Sequence, residues 1–378
     1  EALEEPLLFL SEGAAVPLKI GFCGFNQVFQ DLADPTSMLA RNKGGVNALI
    51  LRLEDWMGNN PDSWQSSLDI NIDQFVDGLR PLAQSMPQSR WIVTFVESGR
   101  AGTLAPEVVA ACAAAEVRIR DRLLPLANVR VRLSHDWEDG ISGHLDLYSP
   151  SDAGGMPLSP EGYAAVACDL MRVADLLRRN PVKVIAVDAD NTLWEGIIGE
   201  DGMDGIRMGP ERLRFQQKLL DLQQNGVLLA LVSKNNRDDV LHVLREHSDM
   251  LLREEHFVAI HADWGPKSQA IHSLSEELKL GLGSFLFLDD SEMELAEVRS
   301  GCPEVACVRV PSSRELDRWI RNLWLLDVGE VTDVDKRRTE MYRNQVQRDS
   351  FMRERGSLAA FLSGLELEVE ASEAALED

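Results

Sequence analysis

From Val182 onward, short apolar runs alternate with longer amphipathic stretches, and each run stops at polar residues. The runs VKVIAVDAD (182–190), GVLLALVSK (226–234), HFVAI (256–260), SFLFLDD (284–290) and VACVRVP (305–311) are short and rich in strand-forming residues. Between them, Glu211–Asn225, Arg237–His247, Lys267–Lys279 and Glu292–Ser300 read as helices. Such alternation leaves few solutions: a mostly parallel sheet with helices packed on its faces. In sheets of that kind, ligands bind outside the carboxyl ends of the strands. The polar residues that end each run are therefore the first place to look for chemistry.

The first half alternates less regularly. LKIGFCGF reads as a strand ending near Gly24, followed by strands over 46–56, 90–98 and 129–137. Ile72–Met86 and Pro106–Leu124 read as helices, the second with Pro near its start. Another begins at Ser159-Pro160-Glu161 and runs to Arg179, and Asn180-Pro181 is a natural boundary. A chain of 378 residues exceeds what one core usually serves, so two domains are expected. Beyond Leu326 the sequence becomes an Arg-rich, charged helical tail with an acidic end.

A formal charge of -24 argues against wrapping nucleic acid or lying on an anionic membrane, both of which reward a cationic surface. A phosphorylated substrate would then need a locally positive pocket or a metal ion. Cys23, Cys112, Cys168, Cys302 and Cys307 are scattered without metal-ligand spacing and suit a reducing, cytoplasmic setting. Cys112 and Cys168 read as small buried hydrophobes. No apolar run approaches the ~20 residues of a membrane span. An opening Glu1 in place of Met suits a segment of a longer protein.

Asp188-Ala189-Asp190-Asn191-Thr192 follows the first apolar run of the second half. A D-x-D-x-T at a strand end has a chemical logic. Asp188 can attack phosphorus and become an aspartyl phosphate. Asp190 can protonate the leaving oxygen and later deprotonate water. Asp188 and the backbone carbonyl of Asp190 suit magnesium, which favours oxygen ligands. Ser233 ends the next run and is placed to hydrogen-bond a phosphate oxygen. Lys267, after Trp264-Gly265-Pro266, supplies positive charge at a helix start, where the dipole disfavours a lysine unless something else holds it. Asp289 and Asp290 offer two more carboxylates for magnesium.

These four elements, in this order, are similar to the motif set of the haloacid-dehalogenase (HAD) superfamily over roughly 182–311. DADNTLWEGIIGEDG, LVSKNN, ADWGPKS and FLDDSEMELAEVR resemble its FkbH-like branch. So do GFNQVFQDLADPTSMLARNKGGVNALILRLEDW and KRRTEMYRNQVQRDSFMRE, which extends the resemblance over nearly the whole chain. The resemblance implies an α/β chain in three parts. Residues 1–180 would form a degenerate SGNH-hydrolase-like domain, 181–326 a Rossmann-like HAD domain, and 327–378 a helical extension. It implies a magnesium-dependent phosphatase and acyltransferase acting on a phosphorylated three-carbon acid, typically 1,3-bisphosphoglycerate. The glyceryl or lactyl unit would be loaded on the phosphopantetheine thiol of an acyl carrier protein for polyketide assembly, within a larger synthase. A stand-alone small-molecule phosphatase is the alternative. The resemblance gives Asp188 as nucleophile, Asp190 as acid and base, and Thr192 and Ser233 as phosphate or loop positioners. Lys267 steadies the phosphate, and Asp188, Asp190, Asp289 and Asp290 hold magnesium.

Two departures stand out. Many FkbH-like sequences carry Cys where this chain has Ala189, so no acyl relay through a thiol is available there. Gly155 stands where relatives carry His, so the first domain reads as structural or carrier-docking rather than hydrolytic. Of the remaining residues, Glu195, Glu200 and Asp201 are expected in a flap, and Trp194, Trp264 and Trp324 in packing. Lys234, His261 and His272 read as ordinary surface or core residues, and Cys23 as a thiol near a strand end. Lys336, Arg337, Arg338, Arg343 and Arg348 offer a basic face for an acidic partner.

Overall fold

The computed structural model describes residues 2–12, 19–24, 26–58, 60, 62–96, 104–138, 147–148, 158–327 and 342. The chain divides into two compact units, Glu1–Arg179 and Asn180–Asp378. Gly155, the basic residues Lys336, Arg337, Arg338, Arg343 and Arg348, and all of the expected tail but Asp327 and Tyr342 lie outside the described residues.

In unit 1, helices α1 (Glu4–Glu12), α2 (Val28–Ala33) and α3 (Met38–Arg41) precede strand β1 (Val46–Leu51). Then follow α4 (Trp64–Ser85), β2 (Arg90–Phe95), α5 (Pro106–Leu123), β3 (Val129–Arg132), α6 (Ser134–Glu138) and α7 (Pro160–Arg178). The strands form a parallel sheet in the order β1-β2-β3. Leu49, Trp91, Val93 and Phe95 pack on α4 and α5, while Ile92 meets Val166 and Leu170 of α7 on the other face.

Several expectations fail in this unit. Residues 19–24 form no strand and are exposed except for the half-buried Ile20; Gly21 and Gly24 leave that segment few side chains to bury. The run over 129–137 stops at Arg132, because Ser134 and Asp136 turn the chain into α6. The buried carboxylate of Glu116 accepts the Ser134 N–H at 2.9 Å, and Asp136 accepts that of Leu133 at 2.8 Å. Cys168 is exposed on α7, not the buried residue its surroundings suggested, while Cys112 is half-buried and packs against the core on that side of the sheet.

Unit 2 comprises β4 (Val184–Val187), α8 (Ile198–Gly205), α9 (Pro210–Gln224), β5 (Leu228–Ser233), α10 (Arg237–Glu246) and β6 (Phe257–Ala262). These are followed by α11 (Lys267–Leu278), β7 (Phe285–Asp289), α12 (Glu292–Gly301), β8 (Ala306–Arg309) and α13 (Ser313–Asn322). Among the described residues these strands make one parallel sheet of five, in the order β6-β5-β4-β7-β8. Every residue of β4, β5 and β7 is buried, as expected for strands covered on both faces. Ile185, Val187, Leu229, Leu231, Leu286 and Leu288 face a core shared with α9, α10 and α13. Val184, Ala186, Leu228, Ala230, Phe285 and Phe287 face α11 and α12. The chain lays β5 and β6 on one side of β4, then crosses to place β7 and β8 on the other. That reversal opens a crevice at the carboxyl ends of β4 and β7.

Candidate active site

The parallel register pairs Val187 with Leu288, and the Asp188 N–H donates to the Leu288 carbonyl at 2.9 Å. One step further on, Asp188 and Asp289 therefore come side by side at the switch point. Both are buried. Lys267, the first residue of α11, extends between them: Nζ lies 2.7 Å from Asp188 Oδ1 and 2.6 Å from Asp289 Oδ2. The same ammonium stands 5.7 Å from the centre of the Phe287 ring. Burial works against the charged form of Lys267, yet the two carboxylates override it and hold its pKa above the usual lysine value.

Asp188 is pushed up to about 7, chiefly by burial and further by Asp289, with Lys267 and a hydrogen bond from Ser233 opposing. Asp290 is also raised, by partial burial and by Asp289 next to it. Asp188, Asp289 and Asp290 each offer a carboxylate oxygen, all within 4.8 Å of one another. Two of the three carboxylates grip the Lys267 ammonium, and Asp290 feels both that charge and the Arg212 guanidinium. The surplus negative charge in a largely dry crevice is what a divalent cation would neutralise, and hard oxygen donors are the set such an ion takes.

Asp190 stands beside this cluster rather than in it. Its Oδ1 accepts the Trp194 indole N–H at 2.9 Å and the Ile198 backbone N–H at 3.0 Å; its Oδ2 accepts the Asn235 amide at 2.8 Å. Three N–H donors thus engage the Asp190 carboxylate, and the expectation of Asp190 as a metal ligand rests with its backbone carbonyl. Asn235 also donates to Ser233 Oγ at 3.1 Å, which links the ends of β4 and β5.

The loop after Asp188 is tightly turned. Asn191 adopts a φ of 53°, and its side chain accepts the N–H of Gly196 at 3.0 Å. Gly196 itself has a φ of 101°, a conformation that favours glycine. Glu195 and Arg207 then pair as an antiparallel bridge, enclosing α8. Thr192 is fully buried and its hydroxyl has no partner among the described residues.

Other sequence readings are revised by contacts. Trp194 is packed as expected but also uses its polar edge on Asp190. Trp264 is exposed rather than packed. Lys234 is paired with Glu294 at 2.8 Å, not freely solvated. His261 and His272 sit away from the acidic cluster, the first 3.8 Å from Glu277 and the second 3.2 Å from the Gly301 carbonyl. Partial burial and Asp31 push the Cys23 thiol up, the reverse of activation. Asn235, Arg212 and Gln216 were not singled out in the sequence; as lone polar residues they carry no spacing signal.

Neither a family model nor a curated protein matches the chain. Among solved structures, the N-terminal part of a Bacteroides fragilis protein, containing a phosphatase domain and complexed with Mg, is similar at 21% identity. The match covers 87% of this chain and 90% of that one, with a TM-score of 0.66. The two share a fold. A HAD family enzyme from Bacteroides thetaiotaomicron, in complex with magnesium and inorganic phosphate, aligns at 12% identity over 35% of this chain and 95% of its own. Its TM-score of 0.26 is too low to bear on the fold. Among the described residues, no helix is long and apolar enough to cross a membrane.

Proposed function

We propose that unit 2 is a magnesium-dependent phosphatase of the HAD type, with Asp188 as nucleophile. One observation carries this reading: Lys267 is buried between Asp188 and Asp289 at the sheet's switch point, with Asp290 completing an acidic cluster. Such a cluster is costly to build and has a chemical use only if charge is delivered to it. Asp188, Asp289 and Asp290, with the backbone carbonyl of Asp190, would hold Mg2+. When bound, the ion supplies positive charge to the phosphoryl oxygens.

An oxygen of Asp188 attacks phosphorus while the bond from phosphorus to the leaving oxygen breaks. Asp190 gives that oxygen its proton. Asp190 then takes a proton from water as the water oxygen attacks the aspartyl phosphate, releasing inorganic phosphate and restoring Asp188. Lys267 favours the charged form of Asp188 against burial and would neutralise the phosphoryl group. Ser233, which ends β5 beside Asp188 and lowers its pKa, would orient a bound phosphate.

The substrate we propose is a phosphorylated three-carbon acid such as 1,3-bisphosphoglycerate, with the glyceryl or lactyl unit passed to the phosphopantetheine thiol of an acyl carrier protein. The sequence resemblance to FkbH-like proteins supports this finer reading. Asp188 would take the phosphoryl group of the C3 phosphate ester. Ala189 is fully buried and has no thiol, so the carrier's thiol would attack the C1 carbonyl directly, losing its proton as the C–O bond to the acyl phosphate breaks and inorganic phosphate leaves. Unit 1 would be a degenerate SGNH-like module that docks the carrier within a larger synthase. To test this, the protein is incubated with Mg2+, 1,3-bisphosphoglycerate and holo carrier protein. Free phosphate is assayed and the carrier is weighed by mass spectrometry. Phosphate release with a glyceryl mass gain on the carrier supports the full reading. Release without the gain leaves a small-molecule phosphatase, and no release defeats both.

A further inference from the structure

Helix α9 places two buried polar side chains, Arg212 and Gln216, four positions apart and so on one face. Neither bonds to a carboxylate. Arg212 Nη1 donates to the Thr192 carbonyl at 2.8 Å, and Gln216 Nε2 donates to the adjacent Leu193 carbonyl at 2.9 Å. Each side chain also reaches a second anchor. Arg212 Nη2 donates to the Pro311 carbonyl at 3.4 Å, while Gln216 Oε1 accepts the N–H groups of Leu251 and Leu252 at 2.9 and 3.2 Å. Thr192, Leu193 and Trp194 are fully buried, so the bonded carbonyls have no water to turn to.

The loop they grip is the one that holds Asp190. Its Trp194 indole and Ile198 N–H both donate to Asp190 Oδ1. Within it the N–H groups of Leu193, Glu195, Gly196 and Ile197 are bonded as well, to Ala189, Arg207, Asn191 and Asp201. A side chain that loosened Thr192 and Leu193 would therefore release the donors that aim Asp190, without touching Asp188, Lys267 or Asp289.

We propose that Arg212 and Gln216 are positioning residues for Asp190, acting through the 192–198 loop; this rests on the reading above of Asp190 as the group that carries the proton. Through the loop, the pair sets how well the leaving oxygen is protonated; the Arg212 charge also acts on Asp290, and Arg212→Lys keeps that charge.

Two variants, Gln216→Met and Arg212→Lys, are compared with the parent protein in Mg2+. Steady-state hydrolysis is followed with p-nitrophenyl phosphate, whose leaving group needs no proton, and with an alkyl phosphate, whose leaving group does. Amide exchange is followed by mass spectrometry over 192–198 and over β7. The expected result is a fall in kcat of about tenfold or more on the alkyl ester and under about threefold on the aryl ester, because only the first needs acid assistance. Exchange over 192–198 should quicken about tenfold while β7 stays protected. Equal losses on both esters, or unchanged exchange in the loop, overturn the proposal. So does failure of both variants to fold, which would make the pair a requirement of the core alone. If the parent hydrolyses neither ester, the phosphatase reading falls, while the exchange arm still decides whether the two side chains hold the loop.

Discussion

Asp188 and Asp289 stand next to each other on parallel strands, one step past the Val187–Leu288 register pair, and grip the same ammonium. The adjacency is a product of strand order. Because β7 lies beside β4 rather than beside β6, two runs distant in sequence deliver their terminal acids to one place. Lys267 then closes the cluster from the start of α11.

Removal of that ammonium tests the electrostatics directly. Lys267→Met leaves Asp188 and Asp289 buried together without a counter-charge, which should cost about 3 kcal/mol or more of stability in metal-free protein. Saturating Mg2+ should recover much of the loss. Thermal unfolding with and without chelator reads both effects, and a variant as stable as the parent in chelator would show that the ammonium does not balance the acids.

Asp188→Asn keeps the shape of the side chain and its contact with Lys267 but removes the attacking oxygen's charge. Phosphate release should fall to background while the circular dichroism spectrum is retained. Measurable turnover in this variant would exclude Asp188 as nucleophile.

Asp290→Asn leaves the contacts among Lys267, Asp188 and Asp289 in place and takes one acid from the cluster. Mg2+ affinity, measured by calorimetry, should weaken about tenfold, in the range seen when groups supporting a metal site are changed. Equal affinity in parent and variant would remove Asp290 from the metal-binding set.

Trp194→Phe deletes one N–H donor to Asp190 and little packing, since the ring stays in its fully enclosed position. A hydrogen bond to a charged group contributes about 1.5–3 kcal/mol, so kcat should drop about tenfold or more with KM little changed. A rise in KM at constant kcat would instead point to a binding role for the indole.

Much of this was legible in the sequence because its signals were local. VIAV and FLFL read as strands since both faces are buried, leaving a continuous apolar run. Lys267 was conspicuous as a cation at a helix start. What stayed hidden depends on distant partners. Arg212 and Gln216 look like ordinary polar residues of α9 until the carbonyls of Thr192 and Leu193 are placed beneath them. Asn235 becomes informative only when β5 is set against β4. Helix α13 was missed because its charged sequence buries Leu316 as its sole fully enclosed residue. Residues 19–24 misled in the other direction, offering a strand-like alternation that the fold does not use.

The order in which the sheet is laid down gives it a built-in checkpoint. The segment between Asp188 and Lys267 spans 79 positions and carries β5 and β6, so synthesis passes through both strands before it supplies Lys267, β7 and Asp289. A nascent chain that stops at β6 has one acid and no neighbour for it. Any ligand that needs the whole cluster can recognise only the finished domain, so its binding energy goes entirely to the completed state and none to a half-assembled precursor.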